Sequence, residues 1–294
     1  EDTKKLFGNY NLHWGKVVKG QCTPNEEVLL NIDIKKREFI KNNHSATHLL
    51  HASLRKTLGT HVTQKGSLVS TKKLRFDFSH NQPIESNELM EIEFLVNSII
   101  QQNNAVQVKI LDHESAVKEG AMALFGEKYD EEVRVVTMGE LDNIPFSKEL
   151  CGGTHVKNTG DIRRFKIINQ SSVSSGVRRI EAVTSDYVDE FILNQKKSEK
   201  ENKDKIDKDI SNLIENIKKL EPNKELYLNE FSDLLEKLKY LKKKYSSIKE
   251  NKFIKKNREN INYENIGEIK LITLDTENYP IKNFKTFIDE QKKL

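Results

Sequence analysis

Residues 44–58 read His44-Ser45-Ala46-Thr47-His48-Leu49-Leu50-His51-Ala52-Ser53-Leu54-Arg55-Lys56-Thr57-Leu58. Ala46, Leu49, Leu50, Leu54 and Leu58 recur at spacings of three and four, which predicts a helix with one apolar face. A second helix is expected to start at Ser86 as its N-cap, with Leu89, Ile92, Val96 and Ile100 turned inward. Strand signals surround these helices. Leu74, Phe76 and Phe78 alternate, as do Val106, Val108 and Ile110. Arg134-Val135-Val136 and Phe165-Lys166-Ile167-Ile168 are further candidates. Helices and strands mixed in this way give an α+β class.

Upstream of this core, residues 1–41 carry short β-branched or apolar runs, Val17-Val18 and Val28-Leu29-Leu30-Asn31-Ile32, set apart by Gly15, Gly20 and Pro24-Asn25. They are expected to form a small β-barrel subdomain. The α+β core occupies 42–186. After about Tyr187 the chain becomes rich in Lys, Glu, Asn, Asp and Leu. Ile206, Ile210, Leu213, Ile217 and Leu220 repeat at helical spacing, and so do Leu234, Leu238, Leu241, Tyr245 and Ile248. Glu221-Pro222-Asn223 breaks the pattern between them. Residues 187–258 therefore read as an antiparallel helical hairpin or coiled coil. Residues 259–294 offer one strand-like run, Ile269-Lys270-Leu271-Ile272, and a short helix near Phe287. That is too little to close a core, and it reads as a truncated C-terminal α/β domain.

The 294 residues are 36% hydrophobic and 32% charged. No run approaches the roughly 20 apolar residues of a membrane-spanning helix. The net charge of +4 permits contact with nucleic acid without demanding it. Two cysteines, Cys22 and Cys151, exclude a disulfide framework and fit a reducing, cytoplasmic setting. The chain opens Glu1-Asp2-Thr3 and reads as a piece of something longer.

The chemistry signal is a pair of distant motifs. His44 and His48 stand at i and i+4, on one face of the expected helix. Cys151-Gly152-Gly153-Thr154-His155 adds a thiol and a third imidazole, with two glycines that let the backbone turn tightly. Either motif alone arises easily by chance. Together they offer three nitrogens and one sulfur, a zinc donor set. His51 competes as a ligand, or stands behind the ligands or toward RNA. Cys22 reads as structural. Four protein ligands would close a structural site, whereas a catalytic one needs an open position. Thr47, Gln64 and Thr154 are the polar groups near enough in the motifs to assist. Gln64 is no general base, but its amide can orient a water or a carbonyl.

Asn43 to His51 resembles the editing-domain signature of the alanyl-tRNA synthetase family. So do Val62-Thr63-Gln64-Lys65-Gly66-Ser67, Gly120 to Tyr129, Cys151 to His155, and Gly176-Val177-Arg178-Arg179-Ile180-Glu181-Ala182. The blocks follow the family's order. The resemblance implies that 42–186 is a zinc-binding editing domain that hydrolyses wrongly charged tRNA(Ala), chiefly seryl- and glycyl-tRNA. It implies one zinc ion held by His44, His48, Cys151 and His155, with Gln64 at the editing site. It also implies that the aminoacylation domain is absent, and that Glu140 to Lys148, longer than the family's usual connection, forms a surface loop.

The expected partner is the tRNA(Ala) acceptor end, not a membrane. Thr47 and Gln64 are the candidate catalytic groups. Of Arg178 and Arg179, one is expected to meet phosphate and the other an acid such as Glu181. Lys242-Lys243-Lys244 has acidic neighbours and reads as a solvated helix face. The hairpin or the C-terminal region could form a homodimer. Two rival readings stand: a non-catalytic tRNA-binding or dimerisation module with a structural zinc, and a free-standing editing protein.

Overall fold

The computed structural model describes residues 2–6, 10–123, 131–258, 262–267 and 269–273. It divides into two compact units, Glu1–Asp189 and Glu190–Leu294. The elements of the first are β1 (Asp2–Leu6), β2 (Tyr10–Trp14), α1 (Ile34–Leu58), β3 (Gln64–Val69), β4 (Leu74–Ser79), α2 (Ser86–Gln101), β5 (Gln107–Asp112), α3 (His113–Lys118), β6 (Glu132–Leu141), β7 (Ile144–Leu150), a 3-10 turn (Thr159–Ile162), β8 (Phe165–Ser174) and β9 (Val177–Thr184). Then come α4 (Asp186–Leu220), α5 (Leu234–Arg258), β10 (Asn262–Ile266) and β11 (Ile269–Thr273). The α+β class holds.

Helix α1 organises the first unit. The Asp33 side chain caps it by accepting from the Lys36 N–H at 3.0 Å, and Gly59 ends it at φ +115°. It lies beside α2 and touches β3, β4, β7 and β9. A helix covered on several sides must bury polar residues too. Asn42, Asn43, Ser45, Thr47, His48, His51 and Ser53 are all buried. Some find partners elsewhere in the unit, Asn42 donating to Ser185 Oγ at 2.8 Å and Asn43 accepting from Thr184 Oγ1 at 2.7 Å, while Thr47 and Ser53 donate to carbonyls of α1 itself. Buried polar groups persist when they are paired in this way.

The four-stranded sheet runs β3-β4-β9-β8 and the three-stranded sheet β5-β6-β7, every pair antiparallel. Leu74, Phe76 and Phe78 of β4 point into the core with Ile92, Val96, Ile99 and Ile100 of α2. Fully burying one such side chain stabilises by about 1.5–3 kcal/mol.

In β3 the register shifts between Gln64, opposite Phe78, and Gly66, opposite Asp77, so that Ser67 faces Phe76. Residues three apart in a regular strand point to opposite faces. The bulge at Lys65 restores Gln64 and Ser67 to the same face.

Several expectations need correcting. No closed barrel forms among the described residues at the N-terminus. β1 and β2 make a two-stranded hairpin, and residues 15–33 contain no strand. Val17, Val18, Val28, Leu29, Leu30 and Ile32 are exposed, and a strand without a neighbour leaves its backbone unpaired. α1 begins at Ile34, earlier than His44, because Lys35, Lys36, Arg37 and Glu38 favour helix without adding to the apolar face. The N-cap of α2 is Glu85, whose N–H donates to Glu88 at 2.7 Å, so Ser86 is the first helical residue. Glu140 to Lys148 is not a loop. Asp142 and Asn143, at φ +55° and +61°, form a two-residue turn that joins β6 directly to β7.

In the second unit all ten expected apolar positions of α4 and α5 join one cluster, with Leu226 and Leu228 of the connection packed on it. The expected strand at 269–272 lies in β11, which pairs with β10. The helix expected near Phe287 and part of the Gly120–Tyr129 block lie outside the described residues.

Candidate metal centre

α1 carries His44 and His48, and Cys151 to His155 follow directly from β7. One donor atom from each of His44, His48, Cys151 and His155 lies within 4.8 Å of every other. The three rings converge, with centroids 4.4–5.1 Å apart. Cys151 Sγ is 3.6 Å from His44 Nε2. Metal bonds of about 2.3 Å to sulfur and about 2.0 Å to nitrogen set tetrahedral neighbours roughly 3.5 Å apart, so this pair already fits.

Each ring is held by its other nitrogen. His44 Nδ1 donates to the Thr154 carbonyl at 3.2 Å, and His48 Nδ1 to Glu149 Oε2 at 2.7 Å. His155 Nδ1 lies 3.5 Å from Ser45 Oγ. Such outer contacts fix the tautomer of a metal-binding histidine. The buried Nε2 atoms of His48 and His155 have no hydrogen-bond partner. Orphaned, buried and aimed at a thiol, they fit a metal ion, and the Cys-His donor set suits zinc.

The electrostatics agree. Burial alone would raise the Cys151 pKa, but the imidazoles of His155, His44 and His48 around the sulfur outweigh it and bring the thiol down to about 3. The thiolate is the form that binds metal. Burial lowers the His155 pKa and keeps that ring neutral at physiological pH. Burial opposes charge on both His48 and Glu149, yet their mutual attraction raises the pKa of His48 and lowers that of Glu149. A metal must therefore displace a proton from His48. Loading is expected to release protons, and affinity to fall as pH drops. Calorimetric titration of zinc in buffers of different ionisation enthalpy measures this.

The glycines of the Cys151–His155 turn act differently from expectation. Neither has a positive φ, so neither is needed for dihedral freedom. Gly153 is needed for space, because a Cβ there would sit 2.1 Å from His44 Cε1. Gly152 meets nothing within 4 Å. Arg134 of β6 holds the turn by donating to the carbonyls of Cys151 and Gly153 at 2.9 and 2.7 Å.

A cavity of about 280 Å³ adjoins the cluster, lined by His44, His48 and Cys151 together with Thr47, His51, Gln64 and Ser67. Thr47 Oγ1 donates to the Asn43 carbonyl at 2.8 Å, so its remaining capacity is as an acceptor. Thr154 contributes its carbonyl, to His44.

The two arginines part company. Arg179 grips Asp77 with two bonds, Nε–Oδ1 at 2.6 Å and Nη2–Oδ2 at 2.8 Å. The acid is Asp77 rather than the suggested Glu181, which accepts from Lys73 and Asn169. In the antiparallel register Asp77 stands directly opposite Arg179, a match that needs strand pairing to be seen. Arg178 donates through Nε to the Gln82 carbonyl. Cys22 is exposed.

Sequence reasoning missed Glu149, which accepts from both His48 and His51. Its one signal was its place two residues before Cys151.

Known proteins resemble this chain over part or most of its length. The description "Threonyl and Alanyl tRNA synthetase second additional domain" matches residues 133–181. An alanine–tRNA ligase of Rickettsia bellii is 45% identical over 267 residues, 88% of this chain and 30% of that protein. One of Bdellovibrio bacteriovorus is 53% identical over 182 residues, 62% of this chain and 20% of that protein. One of Haemophilus influenzae is 46% identical over 237 residues, 81% of this chain and 26% of that protein. The chain thus spans 30% or less of the length of these relatives. No helix among the described residues is long and apolar enough to cross a membrane. Over most of its length the chain resembles a fragment of the alanyl-tRNA synthetases, the fragment that includes their second additional domain.

Proposed function

We propose that this chain is an editing module that hydrolyses the ester of tRNA(Ala) wrongly charged with serine or glycine. The observation that carries the reading is the cavity beside the His44, His48, Cys151 and His155 cluster, with Thr47, Gln64 and Ser67 on its wall. Its size suits an aminoacyl end rather than a nucleic-acid helix. Zinc, when bound by the four residues, can polarise a carbonyl or lower the pKa of a bound water. Gln64 offers an amide N–H to a carbonyl oxygen and an amide oxygen to a water. Thr47 offers lone pairs to a hydroxyl or ammonium. A purely apolar pocket separates seryl from alanyl groups by only about a hundredfold, so polar lining is what a serine-selective site needs. Glycine, with no hydroxyl, must be admitted by size.

The test is deacylation of seryl-, glycyl- and alanyl-tRNA(Ala) by the chain, with and without chelator. Serine and glycine should be released in preference to alanine, and the preference should vanish with Cys151→Ala. Equal release of all three would sink the reading.

Four protein donors favour a second reading, a closed structural zinc in a tRNA-binding module. Under it, chelation lowers the melting temperature and the protein never deacylates.

Arg178 is the better candidate for phosphate, since Arg179 is committed to Asp77. Arg178→Ala is expected to reduce the salt dependence of tRNA binding by about one counterion. Arg179→Ala should leave that slope nearly unchanged. Fluorescence anisotropy across a salt series checks both.

A further inference from the structure

Glu149 lies in β7, is 2% exposed, and sits between two histidines of α1. Its Oε2 is 2.7 Å from His48 Nδ1 and its Oε1 is 3.0 Å from His51 Nδ1. A carboxylate accepts and does not donate, so both Nδ1 atoms must carry hydrogen. A ring whose single hydrogen sits on Nδ1 has a bare lone pair on Nε2. For His48 that lone pair belongs to the metal cluster. For His51 it does not: His51 is outside the four-residue group, 1% exposed, on the cavity wall, and its Nε2 has no partner. A buried acceptor facing no donor costs stability unless something fills the place. The Phe76 ring, with its centroid 5.2 Å away, supplies no conventional donor.

We propose that His51 is a substrate-binding residue whose Nε2 accepts a hydrogen bond from the aminoacyl group of the substrate, and that Glu149 sets this tautomer. This rests on the deacylase reading above. The donor chemistry is an N–H or O–H within bonding reach, supplied by the α-ammonium or by the seryl hydroxyl. One carboxylate thus readies one imidazole for the metal and its neighbour for the substrate.

The experiment uses His51→Phe, which keeps a buried ring and removes the acceptor. Zinc content and melting temperature are measured beside kcat/KM for seryl- and glycyl-tRNA(Ala). The expected result is a loss of roughly tenfold or more in kcat/KM with zinc content retained. A loss confined to seryl-tRNA identifies the hydroxyl as donor. An equal loss on both identifies the ammonium. Unchanged kinetics, or a loss that tracks lost zinc, overturns the proposal and leaves the deacylase reading standing.

A readout independent of activity is the nitrogen NMR spectrum of histidine-labelled, zinc-loaded protein. His51 should show a hydrogen-bearing Nδ1 and a bare Nε2, and Glu149→Gln should disturb that pattern, since an amide can donate as well as accept. A hydrogen on His51 Nε2 in the unaltered protein overturns the proposal outright. If the unaltered protein deacylates nothing, the deacylase reading fails and takes the proposed substrate contact with it.

Discussion

Gly153→Ala is expected to cost the protein its metal while leaving its fold largely intact. The added methyl would stand 2.1 Å from His44 Cε1, a separation no real pair of carbons tolerates. The backbone at Gly153 is ordinary, so the strain is purely one of space. His44 can relieve it by swinging its ring away, at a cost of about 1–3 kcal/mol for an overfilled site. That movement takes Nε2 away from Cys151 and breaks the donor set. Displacing a ligand should weaken zinc by at least the 10- to about 100-fold seen when only an outer partner is lost. Gly152→Ala is the control, because open space surrounds it, and it should bind zinc normally. Zinc titration with a competing chelator, together with melting curves with and without metal, measures both. Equal affinity in the two variants would refute the steric account.

Glu149→Ala is expected to have the largest effect on stability. It leaves two buried imidazole N–H groups, on His48 and His51, without an acceptor. Removing one partner of a buried charged contact typically destabilises by about 3–5 kcal/mol. Zinc affinity should fall as well, because His48 loses the contact that orients its ring. Denaturant titration of the metal-free protein isolates the first effect and zinc competition the second. Metal-free stability within about 1 kcal/mol of the unaltered protein would show that the carboxylate is not needed to satisfy the pair.

Much of this was legible in the sequence. The helical spacing of Leu49, Leu50 and Leu54, and the alternation of Leu74, Phe76 and Phe78, sufficed for α1 and β4 because each carries its burial pattern within its own length. The ten apolar positions of α4 and α5 were readable for the same reason. The histidines and Cys151 stood out because their chemistry is rare and their spacing regular. What escaped depended on partners far away in the chain. Arg179 meets Asp77 only through the β4–β9 register. Glu149 becomes meaningful only once β7 lies against α1. The N-terminal runs looked like strands, but β-propensity reports fitness for a sheet and supplies no neighbouring strand. The hairpin at Asp142-Asn143 was hidden because neither residue is glycine, although both readily adopt positive φ.

The bulge at Lys65 makes this wall of the cavity a matter of counting rather than of chemistry. Substituting Lys65 changes a side chain but not the number of residues, so a substitution scan should score the position as tolerant. Deleting it should be tolerated as well. The strand would regain its strict two-residue beat, and Gln64 and Ser67, then two apart, would still face the cavity together. A deletion scan should therefore place Lys65 among the tolerant positions of β3, and loss of the cavity wall on its deletion would refute this reading of the bulge. Its place is ordinal: it is the residue that the pairing skips.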